Sequence, residues 1–192
     1  MATLPKVGLT PEQYLDFERK SDTKHEYWNG HMWAMSGGTF RHGAICTNII
    51  LAAGTALRGT PCRPFTSDLR LAVSAHGLYT YPDSIIVCGP PELLNFDTIT
   101  NPVVIFEVLS PSTAAYDRGE KFRHYRAISA LREYVLVSQD AYLVERYERQ
   151  ADDRWLLSES SGLDGLVTLA SVSCTLALRE IYANVDMSES AV

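Results

Sequence analysis

Two short, almost wholly apolar runs constrain the fold of this chain more than any other feature of its sequence. Residues 102–110 read PVVIFEVLS and residues 133–138 read EYVLVS. Runs of this length without polar alternation are typical of strands buried on both faces of a sheet. Such strands need covering layers, and helical segments alternate with strand-like segments along the chain. We therefore predict an α/β (α+β) fold with a mixed central sheet flanked by helices, as one domain over residues 1–192 with its core at about 10–185.

Capping and turn signals define the N-terminal elements. Thr10 as N-cap and Pro11 at the first helical position predict a helix that continues to about Lys20. The Asn29-Gly30 pair, between aromatic-rich arms, predicts a two-residue hairpin turn. The register that follows pairs Trp28 with His31 and Glu26 with Trp33.

The remaining elements are assigned from periodicity and breakers. Thr39 is expected to cap a helix over residues 40–58, and Asp117, with Glu120 three residues later, is expected to open another. In SDLRLAV, Leu69, Leu71 and Val73 are expected to face inward, opposite Asp68, Arg70 and Ala72. The other expected elements are a strand at 81–88, a loop at 89–101, strands at 141–149 and 152–160, further apolar segments at the sheet edge, and a short helix at 178–185.

Composition excludes several classes of protein. The 17 Lys and Arg against 23 Asp and Glu give a net charge of −6, which excludes a strongly basic nucleic-acid-binding protein but allows a local basic patch. No uncharged run is long enough for a membrane span, and the N-terminus lacks the apolar core of a signal peptide. We expect a cytoplasmic protein without a membrane partner.

The cysteines are widely spaced. Cys46, Cys62, Cys88 and Cys174 form no CxxC motif. Since cytosolic disulfides are rare, we expect buried thiols that behave as small apolar side chains, and no zinc site built from this spacing.

Two carboxylates lie where burial makes them expensive. Asp83 is expected inside the apolar strand YPDSIIV, and Glu107 lies near the end of VVIFEVL, between Phe106 and Val108. An unpaired buried carboxylate is costly, so each needs a cation, a metal ion or water. If the two strands are adjacent, both acids are expected to share one divalent ion. Solvated residues at the sheet rim are the alternative interpretation.

A cluster of cations follows on the next helix. Arg118, Lys121, Arg123 and Arg126 fall within nine positions. The stem of Lys121 is expected to lie along the core edge while its ammonium reaches the strand ends. As a partly exposed helix residue it is expected to contribute little to stability. The cluster fits either a solvated helix face or an edge that contacts phosphates beside a metal ion.

Several segments of the chain match the pattern of a known family. They are TPEQYLDFE, HEYWNGHMWAMSGGTFRHGAI, SDLRL, YPDSIIV, VIFEVLSPSTAAYDRGEKFRHYRAI and EYVLVS, of which EVLSPSTAAYDRGEKFRHY is the most specific. From about Thr10 to Tyr147 the sequence resembles the Uma2 family, a branch of the PD-(D/E)xK nuclease superfamily. The resemblance implies a restriction-endonuclease-like domain, with the hairpin as an N-terminal extension.

The resemblance also implies a site and a cofactor. Asp83 and Glu107 would lie side by side and hold Mg²⁺, with Mn²⁺ as a substitute, and the Val108 carbonyl would add a ligand. The parent motif has a Lys two residues after the Glu, where this chain has Leu109. The family pattern supplies a Lys from the following helix instead, and Lys121 fits that position.

The implied activity is hydrolysis of phosphodiester bonds in nucleic acid, with DNA as the expected substrate. Lys121 would orient the attacking water and stabilise developing charge, and Glu26, which matches a further acidic position of the family, would act as a base or bind a second ion. Arg118 and Arg123 are candidates for backbone phosphate contacts. The alternatives are a catalytically inactive nuclease-fold module that binds nucleic acid or a protein, and a hydrolase of another phosphodiester.

The oligomeric state is predicted from an apparent surplus of aromatic residues. Trp28, Trp33, Tyr142 and Tyr147 exceed what one small core needs. Closed two-fold pairing is the commonest form of oligomer, and enzymes that cut two strands often pair. We expect a homodimer.

Overall fold

The computed structural model describes residues 8–35, 37–73 and 77–187, which form two six-stranded sheets, one two-stranded sheet and several helices. The helical segments are α1 (Pro11–Glu18), α2 (Phe40–Ala56), α3 (Ala114–Tyr116), a π-helical turn (Asp117–Lys121), α4 (Phe122–Tyr125), a 3₁₀ turn (Ala170–Val172) and α5 (Leu178–Ile181). None of the helices in these ranges is long and apolar enough to cross a membrane. The mixed architecture confirms the predicted α+β class.

The strands are named in chain order. They are β1 (His25–Trp28), β2 (His31–Ala34), β3 (Cys62–Thr66), β4 (Arg70–Val73), β5 (Leu78–Thr80), β6 (Ser84–Cys88), β7 (Leu93–Leu94), β8 (Thr98–Ile99), β9 (Val104–Leu109), β10 (Glu133–Ser138), β11 (Leu143–Arg149), β12 (Trp155–Ser161), β13 (Leu166–Leu169) and β14 (Cys174–Ala177).

The central sheet has the strand order β12-β11-β10-β9-β6-β3. Strands β9 and β10 are parallel to each other, whereas β6 is antiparallel to β9 and β11 is antiparallel to β10. A parallel pair requires a crossover connection, and the helical segment 114–125 supplies it. All six residues of β9 are buried, and in β10 only Ser138 is partly exposed, so the two apolar runs are the buried strands that the sequence predicts.

Both faces of the central sheet are covered. On one face, α2, α5 and β14 pack over Phe106 and Val108, with Ile45 and Ile49 of α2 in the same apolar cluster. On the other face, Phe122 and Tyr125 of the crossover helix pack among the alternate residues of the same strands. Residue 107 of β9 therefore points to the face that carries the crossover helix.

The second sheet, which we call the hairpin sheet, has the order β2-β1-β5-β4-β8-β7. The predicted hairpin register is confirmed, with Trp28 opposite His31 and Glu26 opposite Trp33. Asn29 and Gly30 both have positive φ, 50° and 81°, as a type I′ turn requires.

A polar network connects α1 to β1 and, through Tyr81, to β4 and the residue before β8 in the hairpin sheet. The Glu18 carboxylate accepts the backbone N–H of His25 at 2.8 Å and the Tyr81 hydroxyl at 2.9 Å. Arg70 in turn donates to the Tyr81 hydroxyl and forms an ion pair with Asp97 at 2.7 Å. The network fixes Tyr81, which lies two residues before Asp83.

Several predicted details of the local structure are wrong. Arg70 and Ala72 are buried like Leu71 and Val73, because a second cluster around Tyr14 covers the other face of β4. The predicted loop at 89–101 contains the short strands β7 and β8, and the last apolar strands form the separate sheet β13-β14. The pattern also gave no separate indication of β3, which pairs with β6, or of β5, which pairs with β4 and β1.

The expectation of four separate thiols is also wrong. Cys62 and Cys88 form a disulfide across β3 and β6, where the antiparallel register places them directly opposite each other. Cys46 and Cys174 are free. The spacing of 26 residues did not indicate the pairing, because β3 was not predicted as a strand.

Candidate functional site

The pairing of β6 with β9 brings Asp83 and Glu107 to one side of the molecule. Ser84 lies opposite Phe106 in this antiparallel pair. Asp83 and Glu107, one residue beyond that pair, are therefore neighbours across the two strands. Asp83 is not inside the strand, as predicted, but in the bend before it. There its Oδ2 accepts the backbone N–H of Val108 at 2.7 Å. This hydrogen bond fixes the Asp83 carboxylate beside the strand that carries Glu107.

Lys121 reaches the same place from the crossover helix. Its Nζ lies 2.8 Å from Oε1 of Glu107, and the lysine side chain is only 8% exposed. Leu109, which occupies the position of the lysine in the parent motif, is buried in the apolar cluster on this face. The expected juxtaposition of Lys121 with Glu107 is therefore present, but the expectation of a partly exposed lysine is wrong, because the hairpin sheet covers this end of the helix.

Asp117 is a site residue that the sequence reasoning missed. It was interpreted as a helix cap, yet helical structure begins at Ala114 and Asp117 is buried within it. The π-helical turn from Asp117 to Lys121 places the Asp117 Oδ1 at 3.6 Å from Nζ of Lys121. Such wide turns are frequent at functional sites. The i,i+4 spacing of the two residues was the available signal.

Glu26 enters the site from the hairpin. Its Oε1 lies 3.3 Å from Nζ of Lys121 and accepts the Thr80 hydroxyl of the adjacent strand. The Tyr125 hydroxyl donates to Oε1 of Glu107 at 2.8 Å and completes the set of polar contacts. One ammonium is thus surrounded by three buried carboxylates from three separate elements.

These groups surround a cavity of about 330 Å³. Its walls contain the four residues predicted as catalytic, together with two that were not predicted. They are Glu26, Asp83, Glu107 and Lys121, with His42 and Asp117. Val108 also lines the cavity. The backbone and side-chain oxygens are therefore accessible from a single space.

The charge balance of the site is negative. Burial, reinforced by the carboxylates of Asp83 and Asp117, raises the pKa of Glu107 from its usual 4.5 to about 8, although Lys121 opposes the shift. Burial also raises the pKa of Asp117. Burial acts to lower the pKa of Lys121, but the carboxylates of Glu107 and Glu26 outweigh it and raise this pKa well above its usual value. The ammonium stays charged, and the excess of acids leaves a proton on the cluster at neutral pH.

This donor set fits a hard divalent cation. Mg²⁺ prefers oxygen ligands and is commonly held by one or two carboxylates with retained water. Asp83 and Glu107 supply such oxygens next to a cavity large enough for water. A bound cation would also compensate the negative charge of the carboxylates that the single ammonium of Lys121 does not neutralise.

The two predicted phosphate-binding arginines lie elsewhere. Arg118 donates from Nε to both carboxylate oxygens of Glu145 at 3.0 Å, and Arg123 pairs with Glu120 at 3.2 Å. Neither residue lines the cavity formed by the described part of the chain. A contact to phosphate would require these ion pairs to open.

The chain is similar in sequence to known proteins. A family model described as "Uma2: Putative restriction endonuclease" matches residues 11–182. Two proteins of Synechocystis sp. (strain ATCC 27184 / PCC 6803 / Kazusa) are similar in sequence, and both carry the name "uncharacterized protein". The first, slr1290, is 37% identical over 181 residues, 94% of each chain. The second, sll1609, is 33% identical over 156 residues, 80% of this chain and 88% of that one.

A solved structure shares the fold. It is described as a "putative nuclease belonging to DUF820 from Anabaena variabilis ATCC 29413", and it matches with a TM-score of 0.73. The sequences are 18% identical, and the match covers 91% of this chain and 98% of the other. The predicted nuclease-type fold is thereby confirmed.

Proposed function

The chain belongs to the Uma2 family, and from that premise we propose that it is a Mg²⁺-dependent endonuclease that hydrolyses phosphodiester bonds in DNA. The observation that carries the proposal is the 2.8 Å contact between Nζ of Lys121 and Glu107, beside Asp83 and on the wall of one cavity. Packing alone does not require a buried, ion-paired lysine beside two carboxylates of the kind that bind metal ions. Burial of such a cluster costs free energy that an apolar replacement would save.

Each residue has a role in this proposal. Asp83 and Glu107 hold the metal ion, with the Val108 carbonyl as an additional oxygen and with Mn²⁺ as an acceptable substitute. When bound, the ion polarises a phosphoryl oxygen and makes a coordinated water more acidic. Lys121 supplies a fixed positive charge for the negative charge that develops on the phosphoryl oxygens. Glu26 and Asp117 hold the Lys121 ammonium in place, and Glu26 is also placed to accept a proton or bind a second ion.

The structure removes the aromatic surplus from which the homodimer was predicted. Trp28 packs on His124 with ring centroids 5.1 Å apart, Tyr142 packs on Tyr182, and Tyr147 packs on Phe122. These aromatic rings are used within the chain, so they are not a surplus that needs a partner. A homodimer stays a prediction, and light scattering of the purified protein should give twice 21.4 kDa if it holds. A species of 21.4 kDa would contradict it.

A substrate screen tests the proposed activity. The wild-type protein is incubated with supercoiled DNA, linear duplex DNA, single-stranded DNA and RNA, each with Mg²⁺, Mn²⁺ or EDTA. We expect nicking or cutting of DNA with either metal and none with EDTA. Cleavage of RNA alone would overturn the DNA assignment and keep the nuclease. Retarded migration of nucleic acid without any metal-dependent cleavage would support the inactive binding module instead.

A further inference from the structure

We propose that His42, Cys46 and Asp83 form a second metal site, selective for Zn²⁺ or a similar borderline-soft divalent ion. One ligand atom from each of the three side chains lies within 4.8 Å of the others. Cys46 Sγ lies 3.5 Å from Nδ1 of His42 and Oδ2 of Asp83 lies 3.3 Å from Nε2, so the imidazole lies between the other two ligands and one of its two nitrogens would bind the ion. The site shares Asp83 with the carboxylate cluster but adds a thiol and an imidazole, and its test does not depend on nuclease activity.

The local structure presents these ligands together. His42 and Cys46 are four residues apart on α2, so both side chains project from the same face of the helix. The same spacing is used by paired ligands in known helical metal sites. Asp83 approaches from the bend before β6, and its contact with the Val108 N–H holds it there. The three ligands therefore come from two elements that the central sheet keeps in a fixed relation.

Gly38 controls the position of the imidazole. A Cβ added at Gly38 would lie 2.8 Å from Nδ1 of His42, closer than real Cβ contacts, and 3.0 Å from its Cγ. A side chain at this position would therefore require the imidazole to shift. The Gly38 position is thus compatible with the ligand arrangement only because it lacks a side chain.

The three ligands also line a cavity. A second cavity, of about 410 Å³, is lined by Met35, His42, Cys46 and Asp83, among others. His42 and Asp83 line the first cavity as well, so they form the wall between the two. An ion can enter from the second cavity without passing the Lys121 cluster.

The donor types determine which metal binds. A thiolate, an imidazole and a carboxylate favour Zn²⁺ over Mg²⁺, which prefers oxygen alone. Three protein ligands leave one tetrahedral position for water, as in catalytic rather than structural zinc sites. When the ion binds, the Cys46 S–H bond breaks and the sulfur–metal bond forms, and the released proton passes to solvent.

Co²⁺ is the probe that tests the site, because a thiolate ligand gives it a near-ultraviolet charge-transfer band. The wild-type protein, kept oxidised so that Cys62 and Cys88 stay paired, is titrated with Co²⁺ and then with Zn²⁺. We expect the band to saturate at one ion per chain and to disappear as Zn²⁺ displaces Co²⁺. Cys46→Ala should abolish the band, and Cys174→Ala, which removes the other free thiol, should leave it unchanged.

A second measurement keeps the test decisive if a variant folds poorly. In the wild-type protein, bound Zn²⁺ should slow alkylation of Cys46 by iodoacetamide, as followed by peptide mass spectrometry. Gly38→Ala should weaken Co²⁺ binding roughly tenfold or more, in the range that displaced ligand supports cost. A band that persists in Cys46→Ala, or a wild-type protein without a band and without protection, would overturn the proposal. Neither result bears on Mg²⁺-dependent cleavage, which is measured separately.

Discussion

Replacement of Lys121 by alanine should destabilise the metal-free protein by about 3–5 kcal/mol near pH 8. The ammonium lies within 3.6 Å of three buried carboxylates, so its removal leaves Glu26, Glu107 and Asp117 without a compensating charge. The pKa values of Glu107 and Asp117, which burial already raises, should rise further in the variant, so the loss should be smaller near pH 5. Urea unfolding in EDTA at both pH values measures the difference.

Added Mg²⁺ or Mn²⁺ should restore part of this stability. A divalent ion at Asp83 and Glu107 supplies positive charge to the same acids, and binding to the folded state alone stabilises it. The metal-induced increase should therefore be larger in Lys121→Ala than in the wild-type protein. Lys20→Ala, at an exposed position after α1, is the matched control and should unfold like wild type. Equal unfolding of Lys121→Ala and wild type near pH 8 would contradict the charge balance described for the site.

Glu107→Gln should change how stability depends on pH. The folded protein keeps a proton on Glu107 up to about pH 8, while the unfolded chain releases it near pH 4.5. Between these values the folded state binds more protons than the unfolded state, so the contribution of Glu107 to stability falls as pH rises. The slope is at most about 1–2 kcal/mol per pH unit for one proton.

The variant lacks this titration and should gain stability relative to the wild type across that window, by several kcal/mol at its upper end. Unfolding free energies in EDTA, measured at intervals from about pH 5 to pH 8 for both proteins, give the difference directly. Glu159→Gln, an exposed glutamate on β12, is the matched control and should follow wild type. A constant difference between Glu107→Gln and wild type at all pH values would show that Glu107 is not held neutral by burial.

The sequence predicted those parts of the fold that local patterns determine. The hairpin at Asn29-Gly30 and the strands β9 and β10 are examples, because turn chemistry and continuous apolar runs act over a few residues. It did not predict the Cys62–Cys88 pair or the coverage of both faces of β4. These features depend on contacts between segments far apart in the chain, which no local pattern contains.

The residues of the candidate site were likewise predicted only in part. Asp83 and Glu107 were selected because burying a carboxylate is expensive, and Lys121 because a lysine on the next helix can reach the strand ends. The structure places all three on one cavity. Asp117 was missed because an acid near a helix start is normally a cap, and the π-helical turn that redirects it has no clear sequence signature. His42 contacts Cys46 within its own helix and also reaches Asp83 across the fold, a contact that no local pattern contains. The phosphate role of Arg118 and Arg123 stays a prediction. The ion pair of Arg118 with Glu145 joins distant segments and has no local signal, whereas that of Arg123 with Glu120 is an i,i+3 pair within the helical segment.

The central claim is that the cluster around Asp83 and Glu107 is a metal-dependent site for phosphodiester cleavage. The most direct test compares the initial rate of supercoiled DNA nicking by wild type and by Glu107→Gln, purified in parallel, in Mg²⁺ and in EDTA. Glu107→Gln is expected to remain folded, so a lower rate reports chemistry and not unfolding. Asp16→Asn, an exposed carboxylate on α1, serves as the control for loss of a negative charge.

We predict metal-dependent nicking by wild type and by Asp16→Asn, and a rate lower by about two to three orders of magnitude in Glu107→Gln, as expected when a ligand of the ion that would stabilise transition-state charge is removed. Equal nicking by wild type and Glu107→Gln would contradict the claim.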